Sequence, residues 1–426
     1  MSTSPYSRDA LKGHFRVGDG GRWKVDLDTQ LETIANSAAE RAEQRPVVLG
    51  LSSRTDASGV VHRFAADIET DLILRATYRR LVKQYNILLP NRESIISGII
   101  EAVSEGSPYA ITRCDIRSFY ESIDAKPIIK KIISDTRTDG SLRAVIEWLY
   151  DPGGGAVPPS VAPRGLAIST VLAELTLRNF DEYVRKMPGV HRYFRFADDM
   201  IIFHLPRYDI LSEIQSLLSD LGLEVNEKTT VTHVKSEKPS AAKPDTKEDF
   251  DFLGYKFSAN NSVRSFESRE FNLSIAEVKL KKRQTRVYLA LKSFQRHKDA
   301  PLLIDRLRYI TSNHSIYRTK HSRGKPKQKV RTGIYYNYSR CGFYPASKRG
   351  RKKQDHPATE LVALDGYLKT LLFGPTSEFS ADILALAPHF LTELRKLSFA
   401  QGYRARIIRR HSRARVSEIF KVWNNE

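Results

Sequence analysis

From Asp67 onward the apolar residues recur at helical spacing. Leu74, Tyr78, Leu81, Val82 and Tyr85 share one face, so a helix is expected up to the break at Pro90-Asn91-Arg92. Ser94 to Ile100 begins a second helix, and Tyr109 to Ile116 reads as a strand. Residues 126–150 carry a helical pattern that stops at the breaker Asp151-Pro152-Gly153-Gly154-Gly155. Leu166 to Tyr183 predicts a helix whose first half is almost wholly apolar, as a buried helix should be. His191 to Phe203 reads strand, tight turn, strand, with Asp198 and Asp199 at the tip. An amphipathic helix over 210–221 closes at Gly222, and Thr229 to Val234 is a short strand. Residues 237–248 are polar and read as a loop, and Phe250 to Phe257 predicts a strand or hairpin arm. This order describes a mixed sheet with helices packed on one face, an α+β class. From about Ser274 the chain reads as mostly helical and basic, while residues 1–65 reveal little beyond an accessory segment.

Composition changes this picture in one respect. The 426 residues carry a net charge of +20, with a pI near 9.8, which favours a polyanionic partner. No apolar run reaches about 18 residues, so no membrane-crossing helix is expected. Met1 to Val25 lacks an apolar signal core. The two cysteines, Cys114 and Cys341, form neither a disulfide framework nor a zinc motif, which makes a reducing cytoplasm the default expectation.

The candidate chemistry lies in the acids. Two adjacent carboxylates at the tip of a largely buried hairpin repel each other and are costly to desolvate unless a cation sits between them. Asp115 ends a predicted strand 83 residues earlier (198 − 115). A sheet that sets the two strands side by side would bring three carboxylates together. Oxygen-only ligands suit Mg²⁺ or Mn²⁺. Two such ions could activate an attacking hydroxyl and hold a triphosphate.

Five blocks, in order, resemble a prokaryotic reverse transcriptase of the group II intron and retron-like superfamily. They are Asp115-Ile116-Arg117-Ser118-Phe119-Tyr120-Glu121-Ser122-Ile123, Pro163-Arg164-Gly165-Leu166-Ala167-Ile168-Ser169, Phe196-Ala197-Asp198-Asp199, Leu221-Gly222-Leu223 through Asn226 to Lys228-Thr229, and Phe252-Leu253-Gly254-Tyr255. The resemblance implies a right-hand polymerase fold. Residues 1–66 would be an N-terminal accessory segment, 67–114 the fingers, 115–260 the palm, and 261–426 a helical thumb with a basic RNA-binding extension. It implies an RNA-directed DNA polymerase using two Mg²⁺ ions, with Asp115, Asp198, Asp199 and the Ile116 carbonyl as ligands. Tyr120 falls where the family places its sugar gate. Gly165 would admit the nucleotide or template, and Lys228 would be a general acid for pyrophosphate. Arg92 is a candidate cation for the triphosphate.

Arg164 stands where the family usually has Gln. This departure resembles the divergent defence-associated and abortive-infection enzymes, which implies a dedicated noncoding RNA template and a role against phage. The expected partners are RNA, DNA product and dNTPs, with a homo-oligomer or a second defence protein left open. Basic runs at Arg318–Arg331, Lys348–Lys353 and Arg404–Arg415 are interleaved with Tyr309, Tyr317, Tyr335, Tyr336, Tyr338, Phe343 and Tyr344, a composition suited to gripping RNA. A retron- or intron-derived polymerase and a non-catalytic RNA-binding scaffold remain as alternatives.

Overall fold

A computed structural model describes residues 4–423, apart from 17, 151–155, 159, 241–244, 319–327, 348–352 and 355–358. The chain forms two compact units. One holds residues up to Ala102 and Pro108–His233; the other holds Val103–Ser107, Val234–Tyr317 and the chain from Lys329 on.

The first unit opens with helices α1 (Arg8–Lys12), α2 (Asp19–Trp23) and α3 (Leu27–Glu43), then a hairpin of β1 (Leu51–Thr55) and β2 (Val61–Ala65). The accessory segment is therefore ordered. Tyr6, Leu11, Phe15 and Ala38 are buried in the same core as Leu72, Leu149 and Leu172. Helix α4 (Ile68–Gln84) starts at Asp67, whose carboxylate accepts the Thr70 N–H at 2.8 Å as an N-cap. Next come α5 (Arg92–Val103), β3 (Tyr109–Asp115), the one-turn α6 (Phe119–Ser122), α7 (Lys126–Ser134) and α8 (Gly140–Tyr150). The helix expected over 126–150 is two helices. Asp135 breaks it by binding Arg137 instead, with its carboxylate accepting both backbone and guanidinium N–H. The helix expected over 166–183 also divides, at Leu177, into α9 (Ile168–Thr176) and α10 (Arg178–Lys186). The breaker at 151–155 lies outside the described residues.

Strands β4 (Val190–Phe196) and β5 (Asp199–His204), helix α11 (Ile210–Asp220) and β6 (Thr230–Val234) complete the sheet, ordered β4-β5-β3-β6. This four-stranded sheet, flanked by helices, gives the α+β arrangement that the sequence predicts. Cys114, Met200 and Ile202 on one face of the sheet join the main helical core. On the other face Gly98 of α5 lies against the Phe194 ring, leaving no room for a Cβ.

In the second unit, β7 (Lys247–Phe252), β8 (Tyr255–Asn260) and β9 (Phe271–Ile275) form an antiparallel meander that β12 (Gly342–Tyr344) extends. Phe252-Leu253-Gly254-Tyr255 is the hairpin turn between β7 and β8. Leu253 and Gly254 both have positive φ (46° and 82°), the type I′ requirement. Helices α12 (Glu277–His297) and α13 (Ala300–Thr311) follow, then β10 (Asn313–Arg318) and β11 (Gln328–Gly333). Later come α14 (Thr359–Phe373), α15 (Ser380–Leu384), α16 (Pro388–Arg395), α17 (Phe399–Arg404), β13 (Ile408–Arg409) and α18 (Arg413–Phe420). The region from Ser274 is thus mainly helical, as the sequence predicts, but it also holds strands that the sequence does not signal. Its strands are short and polar, which hides the two-residue alternation. Some aromatics assigned to RNA are core residues: Tyr344 stacks on Phe271 at 4.5 Å, and Tyr338 is buried against Tyr255. Tyr317 as a side chain, Arg318–Arg331 over 319–327 and Lys348–Lys353 over 348–352 lie outside the described residues. No described helix is long and apolar enough to cross a membrane.

Candidate active site

The hairpin between β4 and β5 turns on two residues, Ala197 and Asp198. Ala197 is held at φ 57°, a region that costs a non-glycine residue about 1–3 kcal/mol. A buried arginine keeps it there. Arg195 Nη1 donates to the Ala197 carbonyl at 3.0 Å, while its other donors reach Glu174 on α9 (2.7 Å) and Asp181 on α10 (2.8 Å). Tyr193 also donates to Asp181, at 2.7 Å. Burial works against the Arg195 charge, but the two carboxylates outweigh it and its pKa is raised.

Strand pairing brings the predicted acids together. Asp115 and Asp199 are direct cross-strand partners, so both project from the same face. The Ile116 N–H donates to the Asp198 carbonyl at 3.2 Å, tying the turn to the end of β3. Asp199 lies beside Arg113, which donates to it at 3.3 and 3.4 Å. Asp198 is raised above the ordinary carboxylate range by burial first and by the nearby Asp115 charge, with Arg164 pulling the other way. Asp199 is raised too: burial leads, and Asp115 and Asp198 add to it against Arg113. Among the described residues no set of three or more His, Cys, Asp or Glu side chains is gathered as a metal cage.

Two residues outside the expected set shape the site. The Asn226 N–H donates to the Asp115 carbonyl at 2.6 Å, and its side-chain amide donates to the Asp115 carboxylate at 3.2 Å. The Asn226 side-chain oxygen accepts the Lys228 N–H at 3.3 Å, so exposed Lys228 belongs to the turn that holds Asp115. The second residue is Glu121, which accepts a two-pronged bond from Arg164 at 2.7 and 2.9 Å. Arg164 also lies over the Tyr120 ring, 5.6 Å from its centroid. Asn226 lies inside the Leu221–Thr229 motif and Glu121 directly follows Tyr120, but neither residue type marks its role in the sequence alone.

Tyr120 is half-buried on the core and packs against Phe119 at 5.1 Å. With Phe119, Phe196, Ala197, Pro90 and Thr170 it lines a cavity of about 280 Å³ beside the hairpin. Gly165, at φ +96°, needs its missing Cβ for a protein contact, because the Arg63 backbone of β2 fills that space. The Arg63 N–H donates to the Arg164 carbonyl at 2.7 Å. Arg92 begins α5 and pairs with Glu93 at 3.4 Å.

Residues 72–257 match the family model described as reverse transcriptase (RNA-dependent DNA polymerase). No curated protein matches the chain. Among solved structures, apo telomerase from Candida tropicalis, truncated from its C-terminal domain, is similar at 12% identity and a TM-score of 0.34. That match covers 49% of this chain and 53% of the other. Telomerase from Candida albicans, in complex with the TWJ fragment of telomeric RNA, is similar at 11% identity and a TM-score of 0.36, over 93% of this chain and 68% of the other. The chain therefore spans about half the length of the first of these structures, 53%.

Proposed function

We propose, from the premise that residues 72–257 are a reverse transcriptase domain and so a nucleotidyltransferase of the RNA-directed DNA polymerase kind, that the whole chain makes DNA on an RNA template. The observation that carries the reading is the meeting of Asp115 and Asp198 at one sheet end, with no cation hydrogen-bonded to either among the described residues.

The donor set fits a hard divalent ion. Asp115, Asp198 and the Ile116 carbonyl offer oxygen only, and Asp199 adds a third carboxylate beside Arg113. Two carboxylates leave positions for substrate phosphates, the usual habit of Mg²⁺, and Mn²⁺ shares the chemistry. When bound, such ions would polarise the phosphoryl group and lower the pKa of the attacking hydroxyl. The rest falls to the chain's own residues. Asn226 orients Asp115. Arg195 fixes the turn that presents Asp198. The Glu121–Arg164 pair braces Tyr120, whose ring would meet the sugar and leave no room for a 2′-hydroxyl. Lys228 and Arg92 are cations for pyrophosphate and triphosphate, and Gly165 keeps the template-side loop close to β2.

Primer extension tests this. The purified chain with Mg²⁺, dNTPs and a DNA-primed RNA template is expected to yield DNA. Tyr120→Val is expected to narrow the preference for dNTPs over rNTPs by about 10-fold or more. A chain that binds RNA but never extends a primer would return the reading to the RNA-binding scaffold. A dedicated noncoding template, and through it a role in antiphage defence, extends the same proposal. Arg164 in place of the usual Gln supports it, and a single dominant RNA species co-purifying with the chain is the expected outcome.

A further inference from the structure

Helices α12 and α13 and the segment after α18 enclose a cavity of about 640 Å³, wholly inside the second unit. Its wall includes Arg306, which is 6% exposed. That guanidinium has five N–H donors. Nη1 reaches the Ser293 hydroxyl at 2.8 Å, Nη2 reaches the Glu418 carbonyl at 3.4 Å, and Nε has no partner. No carboxylate is hydrogen-bonded to it among the described residues. Asp299 and Glu418 act on it only through space, and Arg415 opposes them. The Asp299 carboxylate is engaged elsewhere, capping α13 through the Leu302 N–H at 2.9 Å. A buried cation in this state is costly unless an anion reaches it.

The rim carries the same sign. Lys292, Arg296 and Lys421 line the cavity, are exposed, and form no ion pair among the described residues. Lys292 and Arg296 stand one helical turn apart on α12, so the rim cations form a row along the helix and do not converge on one point. A row suits consecutive phosphates of a strand better than a single compact anion. Tyr288 supplies a ring at the same wall, held edge-on by Phe379 at 5.5 Å, with Lys292 5.5 Å from its centroid.

We infer that this cavity is a binding site for one nucleotide unit of a single-stranded nucleic acid, its phosphate reaching Arg306 past Lys292 and Arg296 and its base lying against Tyr288. The site is independent of the carboxylates, so a chain with normal primer extension can still lose it. The test is fluorescence anisotropy on the full chain with a labelled single-stranded RNA of about 20 nucleotides, repeated with DNA of the same sequence. Lys292→Glu with Arg296→Glu is expected to weaken binding about 10-fold. It should also flatten the dependence of log affinity on log salt by about 1.4, two phosphate contacts at about 0.7 each. Lys130→Glu with Lys131→Glu, the same charge change on exposed positions of α7, is expected to cost less than about 2-fold. Equal losses in the two double variants would reduce the effect to general charge and overturn the site, as would an unchanged salt slope. Binding of labelled dATP is expected to be unaffected. Its loss with strand affinity retained would reassign the cavity to a free nucleotide and overturn the inference.

Discussion

One hairpin separates two groups of buried and half-buried acids that the protein treats differently. Behind the turn, Glu174 and Asp181 share the Arg195 guanidinium, with every hydrogen bond at 3.1 Å or less. In front of it, among the described residues, the Asp115 carboxylate receives only the Asn226 amide, Asp199 has Arg113 beside it at 3.3 Å, and Asp198 feels Arg164 from a distance while Arg164 is bonded to Glu121. The chain has a cation in place where acids are structural. Where it leaves acids short of a cation, burial and the neighbouring carboxylates raise the pKa of Asp198 and Asp199, and the missing charge must come from outside. The same logic in reverse applies to Arg306, a buried cation without a carboxylate bond. Unpaired charge on this molecule therefore marks places for ligands of opposite sign.

The comparison breaks most sharply at Asp198. Asp198→Asn keeps the shape and removes one charge, so primer extension is expected to fall by about 10³-fold or more while the far-ultraviolet spectrum is unchanged. Activity within about 10-fold of the parent would mean that the front acids are not the catalytic set. Arg195→Met probes the other side. Two buried carboxylates would lose their partner, and stability should drop by about 3 kcal/mol, read as a lowered denaturant midpoint. The triple change with Glu174→Gln and Asp181→Asn should recover most of that loss, because the charges disappear together. Asn226→Ala sits between the two groups in kind. It leaves Asp115 charged but unoriented, and a loss of about 10- to 100-fold in apparent Mg²⁺ affinity is expected, with stability within about 1 kcal/mol.

The front of the hairpin was legible because its signals are local. Acids flanked by apolar strands, a glycine at a positive φ and ordered motif blocks can be read within a few residues. The back was not. Arg195 looks like any alternating polar residue of a strand, and its partners Glu174 and Asp181 lie on two helices that the apolar pattern merges into one. Gly165 was legible as a close approach, yet what approaches it is the Arg63 backbone, a pairing across about 100 residues that no local pattern contains. The short strands around 313–344 were missed for a related reason. Their partners are distant, and their two or three apolar positions fit either period.

The smallest expected effect is also the most direct measure of the uncompensated charge. Burial raises the pKa of Asp198 and Asp199, so between the ordinary aspartate value near 4 and the raised values the folded chain binds more protons than the unfolded one. Stability then falls as pH rises through that window and stays lowered above it. Acids away from the site such as half-buried Asp135, depressed mainly by hydrogen bonds from Arg137, run the other way and would mask the trend in a single melt. The informative quantity is the difference between Asp198→Asn and the parent chain in EDTA. The variant should be the more stable at neutral pH by about 1 kcal/mol, some 2–4 °C, and the gap should close toward pH 4. Saturating Mg²⁺ should reverse the order, because the ion binds only the folded parent's ionised carboxylates with full affinity. Equal Mg²⁺ shifts in both proteins would place the ion elsewhere and dissolve the contrast between the two sides of the hairpin.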